Sequence, residues 1–179
     1  MKLIKKLFIL CLFLVVAASC ETAKDYEMGF TPIYPLSGEW MVRFTDTTVT
    51  PNTSDKLFVM STFNTADNSS NQMWIRLTTA LNADNASKNQ AYPGRLDGKI
   101  NCDVTAKTFS GESVVNTYST ATTALTFTIT GGTVITDGYD TATGGKSDKI
   151  TFTITDSRKP GKTITVTGFR RTRWLDDEV

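Results

Sequence analysis

Leu125-Thr126-Phe127-Thr128-Ile129-Thr130 and Ile150-Thr151-Phe152-Thr153-Ile154-Thr155 set apolar residues against threonine with a period of two. Strict alternation puts one set of side chains on each face of a β-strand, and β-branched threonine suits a pleated, wetted face. The same period appears where Trp40, Val42 and Phe44 oppose Met41, Arg43 and Thr45, where Ile100, Cys102 and Val104 oppose Lys99, Asn101 and Asp103, and in Ile164 and Val166. These segments read as antiparallel strands with one dry side. Two stretches break the pattern: Leu57 to Met60 is apolar on both parities, and Trp74 stands opposite Met73, Ile75 and Leu77.

Glycine pairs punctuate the second half at Gly131-Gly132, Asp137-Gly138, Gly144-Gly145 and Pro160-Gly161, and each reads as a turn between short strands. No stretch from Gly38 onward keeps a long helical period. A chain of roughly eight to ten antiparallel strands must hide its sheet edges, and closure does so most completely. The expected fold is therefore all-β, an antiparallel barrel over residues 37–179, with a sandwich as the competitor.

The N-terminus has a different character. Lys2, Lys5 and Lys6 precede an unbroken apolar run from Leu7 to Val16, and Ala17, Ala18 and Ser19 lead to Cys20. A positive start, a short apolar core and small residues before the cut define a secretory signal, here residues 1–19. The run is shorter than the roughly 20 residues that span a bilayer. Small residues before a cysteine resemble a loose lipobox, so Cys20 is expected to become the lipid-carrying first residue of an exported protein held at the outer membrane, on its periplasmic or cell-surface side. Ordinary cleavage after Ala18 or Ser19 is the alternative. Residues 20–36 lack a sustained period, contain two prolines and read as a tether.

Removing Lys2, Lys5 and Lys6 leaves sixteen basic residues against eighteen acidic ones, a mature charge near −2. That balance does not call for nucleic acid as a partner. Loss of Cys11 with the signal and use of Cys20 for lipid leave Cys102 as the remaining cysteine, on the apolar parity of its strand and so expected to be a buried thiol. The chain has no histidine, which removes the usual base of a Ser-His-Asp triad, and it has no Gly-x-Ser-x-Gly elbow. One thiol without imidazole does not make a zinc site. Asp137-Gly138-Tyr139-Asp140 and Asp84-Asn85 lack calcium-loop spacing. No cofactor or metal is expected, and no catalytic residue is assigned.

Gly38-Glu39-Trp40 opens the first strand, Phe63-Asn64-Thr65-Ala66-Asp67 leads into Gln72-Met73-Trp74-Ile75, Ala106-Lys107-Thr108-Phe109-Ser110-Gly111 follows, and Gly168-Phe169-Arg170-Arg171-Thr172-Arg173-Trp174-Leu175 ends the chain. On these stretches the sequence resembles the Bacteroidetes lipoproteins called lipid-binding putative hydrolases, from about Gly38 to the C-terminus. The resemblance implies a lipocalin-like barrel. Gly-x-Trp also resembles the first lipocalin motif, which implies that Trp40 closes one end beneath Arg170 or Arg171. The inward candidates for a small apolar or lipidic ligand are Phe44, Ile75, Phe127 and Phe152, with Trp74 near a loop. Two other readings stay open. One is a carboxylate-based hydrolase, although Asp46, Asp137, Asp148 and Asp156 fall where turns want them. The other is a non-catalytic envelope interaction module using the two-sided strand at Leu57 to Met60. Asp46-Thr47-Thr48 and Asp140-Thr141-Ala142 resemble the O-glycosylation signal of Bacteroidetes, and Lys24, Asp25 and Glu27 resemble their surface-export tags.

Overall fold

A computed structural model describes residues 29–46, 52–53, 57–77, 95–119 and 124–178. The signal segment, Cys20, Thr48 and the charged residues 24–27 lie outside the described residues.

The alternating segments become β1 (Gly38–Asp46), β3 (Phe58–Asn64), β4 (Gln72–Leu77), β5 (Leu96–Asp103), β6 (Thr108–Val115), β7 (Thr126–Asp140), β8 (Lys146–Asp156) and β9 (Ile164–Arg170). A two-residue β2 (Asn52–Thr53) pairs with Thr45 and Asp46 at the far end of β1. Each long strand is antiparallel to the next, and β9 returns to β1, with Trp40 opposite Arg170 and Phe44 opposite Val166. The result is a closed, up-and-down, eight-strand barrel. Closure gives every long strand two neighbours, which settles barrel against sandwich.

The inner wall follows the alternation. Trp40, Val42 and Phe44 from β1, Met60 from β3, Met73, Ile75 and Leu77 from β4, and Ile150, Phe152 and Ile154 from β8 are buried in one cluster. Their outward neighbours Thr151, Thr153, Thr165 and Thr167 stay partly exposed and form a threonine band across β8 and β9. Each large apolar side chain so buried contributes roughly 1.5 to 3 kcal/mol before the chain entropy is counted.

Three sequence expectations change. Gly131-Gly132 and Asp137-Gly138 are not turns; both lie inside the fifteen-residue β7, at register shifts against β8. A G1-type bulge uses the same positive φ as a tight turn, and Gly131 (63°) and Asp137 (51°) adopt it, so composition alone does not separate the two. Residues 31–36 are not loose tether either. Tyr34–Leu36 forms a short 3₁₀ turn, η1, and Ile33 and Leu36 are fully buried in the barrel cluster. At Leu57 to Met60 only Met60 is deeply buried, while Phe58 is half-buried with its ring 5.3 Å from that of Phe44.

Candidate ligand site

Trp40 lies at one end of the barrel, near the start of β1 and opposite Arg170 at the end of β9. Its indole is fully buried, its Nε1–H donates to Thr62 Oγ1 at 2.9 Å, and the Thr62 hydroxyl donates to the Leu36 carbonyl at 2.5 Å. The chain satisfies the polar edge of a buried tryptophan and ties η1 to β3. Above the ring, the Arg170 guanidinium carbon stands 4.5 Å from the centroid. Arg170 also donates through Nε to Asp148 Oδ2 at 3.0 Å, through Nη2 to the Pro35 carbonyl at 3.0 Å, and through Nη1 to the Ser37 carbonyl. A Cβ on Gly38 would sit 2.5 Å from Arg170 Nη1, so the glycine that opens Gly-x-Trp makes room for the arginine that covers the tryptophan.

Arg171 points elsewhere. It forks onto Glu178 at 2.6 and 2.7 Å and reaches Glu39 at 3.2 Å. Hydrogen bonding to Glu178 raises the guanidinium pKa, and the same contact holds Glu178 below the usual carboxylate range. Next to it, in the C-terminal turn η2 (Leu175–Asp177), Asp177 accepts from the Thr143 amide at 2.9 Å and the Thr172 hydroxyl at 2.7 Å. Burial pushes the Asp177 carboxyl up, but these donors outweigh it and the net shift is downward. The C-terminus is thus latched to the β7–β8 turn. Thr141 in that turn is buried, and its hydroxyl accepts from the Gly145 amide at 3.1 Å; this makes it a turn residue and not an accessible sugar acceptor.

Phe44, Ile75, Phe127 and Phe152 all face inward and are buried. Phe152 meets Phe109 edge-on at 5.4 Å. Trp74 does not join them. It lies half-buried on the outer surface, stacked on Phe63 at 6.3 Å, with the Arg76 guanidinium 5.0 Å over the Phe63 ring. Its parity opposite Met73 and Ile75 already places it there.

The other barrel end, where β1 and β8 finish and β9 begins, is charged. Asp46 is buried and paired with Lys162 at 2.9 Å, and Asp156 is buried and paired with Arg158. Lys159 is half-buried, and desolvation followed by repulsion from Lys162 lowers its pKa. Of the other acids expected at turns, Asp148 is held by Arg170, and its Oδ1 accepts from the Asp137 amide at 3.1 Å. Asp97, on β5, is held by Arg76 at 2.9 Å. The buried Cys102 thiol is pushed up by desolvation and then by Asp103, which keeps it protonated. Among the described residues, no group of acids and thiols is arranged to hold a metal ion.

An opening lies in the wall. Between β5 and β6 is a cleft of about 310 Å³ lined by Trp74, Lys99, Ile100, Asn101, Gly111, Glu112, Val114, Val115 and Thr117. Behind its Val114 lining, the Phe127 ring reaches the space beside Gly98, whereas Ile75 is placed only by its pairing with Gly98 across β4 and β5. Ile33, Leu36, Thr62 and Val114 are the contributors that alternation alone did not single out.

A search of curated proteins found no match to the chain. A family model described as lipid-binding putative hydrolase matches residues 25–175, which takes in every strand, the Trp40 end and the wall cleft. The chain therefore belongs to the lipid-binding putative hydrolase family.

Proposed function

We propose that the protein is an exported lipoprotein, anchored through Cys20 to the outer membrane, whose barrel binds a small apolar or lipidic ligand. The observation that carries this reading is the closed eight-strand barrel with an inner wall of aliphatic and aromatic side chains. A barrel of that size is just wide enough to be filled or to hold one small ligand. Membership of a lipid-binding family agrees with the second use. The signal-like residues 1–19 and Cys20 supply the anchor.

The acids draw the reading away from hydrolysis. A carboxylate mechanism needs one acid and one base on a shared substrate, whereas Asp46 and Asp156, buried near the same end, are each clamped by a cation. The barrel acts as a container and not as a catalyst.

Two assays test the two halves of the proposal. Growth with labelled palmitate should label the wild-type chain and leave Cys20→Ser unlabelled; equal labelling of both would remove the anchor. Titration of the purified protein with cis-parinaric acid should give saturable fluorescence enhancement, and a signal no larger than that of an unrelated soluble protein would remove the ligand.

A further inference from the structure

The barrel wall is not continuous between β5 and β6. Paired residues run from Asp103 and Thr108 to Asn101 and Ser110, and there the ladder stops. The two chains rejoin only where the Thr117 amide donates to the Asp97 carbonyl at 2.8 Å, with Asn116 bridging to the Asp97 amide at 3.1 Å and the Arg95 carbonyl at 3.0 Å. Between these joints one side advances from 101 to 97 and the other from 110 to 117. The surplus residues bulge at a register shift between Gly111 and Val114, where Ser113 takes a φ of 48°.

One side chain fills the resulting seam. A Cβ on Gly98 would meet Val114 Cγ1 at 2.6 Å and Phe127 Cζ at 2.8 Å; a Cβ on Gly111 would meet Val114 Cγ2 at 2.6 Å and Ile100 Cγ2 at 2.9 Å. Both strands therefore present glycine where the valine plugs the gap. Val114 is only half-buried. No ladder hydrogen bond among the described residues has to break for it to turn away, so its displacement costs packing alone.

The floor of the cleft is apolar, made by Ile100, Gly111 and Val114, and the Val114 side chain alone fills the space beside Gly98 and Gly111. Its lips carry opposite charges, Lys99 on β5 and Glu112 on β6, both exposed, with Trp74 beside Lys99. A narrow apolar slot accepts one hydrocarbon chain. A cation on one strand and an anion on the other favour a head group that carries both signs, because a single-sign head group would meet a like charge on one lip. Tryptophan beside such a slot suits the boundary between hydrocarbon and polar head.

We propose that the β5–β6 seam is the lipid site: a single acyl chain displaces Val114 and lies against Ile100, Gly98, Gly111 and Phe127, while a zwitterionic head group of the phosphoethanolamine type bridges Lys99 and Glu112. This deepens the ligand-binding reading above and rests on it. The site takes a lipid through the wall and not at the charged barrel end, where Asp46 and Asp156 are ion-paired and a separate cleft of about 300 Å³ lies beside Phe127, Lys159 and Lys162.

The test is competition against cis-parinaric acid by lysophosphatidylethanolamine on the full-length protein and four variants. Lys99→Gln and Glu112→Gln, both at exposed positions, should each weaken lysophosphatidylethanolamine about tenfold. Val114→Ala should speed parinaric acid uptake several-fold. Lys159→Gln, at the charged end, should leave both readouts unchanged, and thermal unfolding checks that each variant is folded. Three results overturn the proposal. If wild type binds parinaric acid but lysophosphatidylethanolamine does not compete, the seam assignment fails while lipid binding stands. If Lys159→Gln weakens binding and Lys99→Gln and Glu112→Gln do not, the ligand uses the barrel end instead. If wild type shows neither saturable parinaric acid fluorescence nor a lysophosphatidylethanolamine adduct by native mass spectrometry, the ligand-binding reading falls and takes the seam with it.

Discussion

The guanidinium of Arg170 covers the indole of Trp40 at 4.5 Å while its nitrogens reach Asp148 and the carbonyls of Pro35 and Ser37. One side chain from the last strand thereby joins the first strand, the 3₁₀ turn before it and β8. Cation–π attraction is worth about 0.5 to 2 kcal/mol, and a hydrogen bond to a charged group about 1.5 to 3.

Arg170→Ala should therefore destabilise the barrel by about 2 to 4 kcal/mol in urea unfolding. Arg170→Lys should recover less than half of that, because an ammonium keeps the charge and loses the planar fork. In a double-mutant cycle with Trp40→Leu, which removes the aromatic face, a coupling near 1 kcal/mol is expected. Strict additivity would mean that the stacking carries no energy of its own.

Folding lowers the pKa of Glu178 through Arg171, and the threonine donors lower that of Asp177 against its burial. For carboxylates lowered in the folded state, the stabilisation is complete above the unfolded values, near about 4, and is lost as pH falls through the lower folded values. The C-terminal latch should open below about pH 4 while the strands persist. Amide exchange over residues 171–178 should accelerate between pH 5 and pH 3, after correction for intrinsic rates, by more than exchange in β8. Parallel changes in both segments would show that the latch has no separate titration.

Cys102 is buried and its thiol is pushed up by desolvation. Iodoacetamide at pH 8 should modify it slowly in the folded protein and at the rate of a free thiol in denaturant. Fast native labelling would place Cys102 at a surface. Cys102→Ser, which puts a hydroxyl on the inner wall, should cost about 1 to 2 kcal/mol and more than Cys102→Ala.

The strands were legible because water and core divide the residues so cleanly: Phe127, Ile129, Phe152 and Ile154 fall inside and their threonine neighbours do not. Trp40 and Arg170 were legible as a pair through the motif they resemble, although only the register of β1 and β9 chooses Arg170 over Arg171. The entry angle of residues 31–36 was not legible, since Ile33 and Leu36 reach the core through one proline-containing turn too short for any period. Bulges hid for a related reason. Gly131-Gly132 and Asp137-Gly138 carry the same chemistry as turns, and only the pairing of Thr130 with Thr153 and of Thr133 with Thr151 shows that the strand continues. The seam depends on two strands parting over a few residues, which leaves Gly98 and Gly111 as its sole trace in the sequence.

Native mass spectrometry of the protein purified from its membrane tests the central claim most directly. The account predicts a folded species heavier than the processed chain by the mass of one lipid, which is released when the barrel is denatured. A folded protein that carries only its own covalent mass in every preparation, and takes up no added lipid, would contradict it.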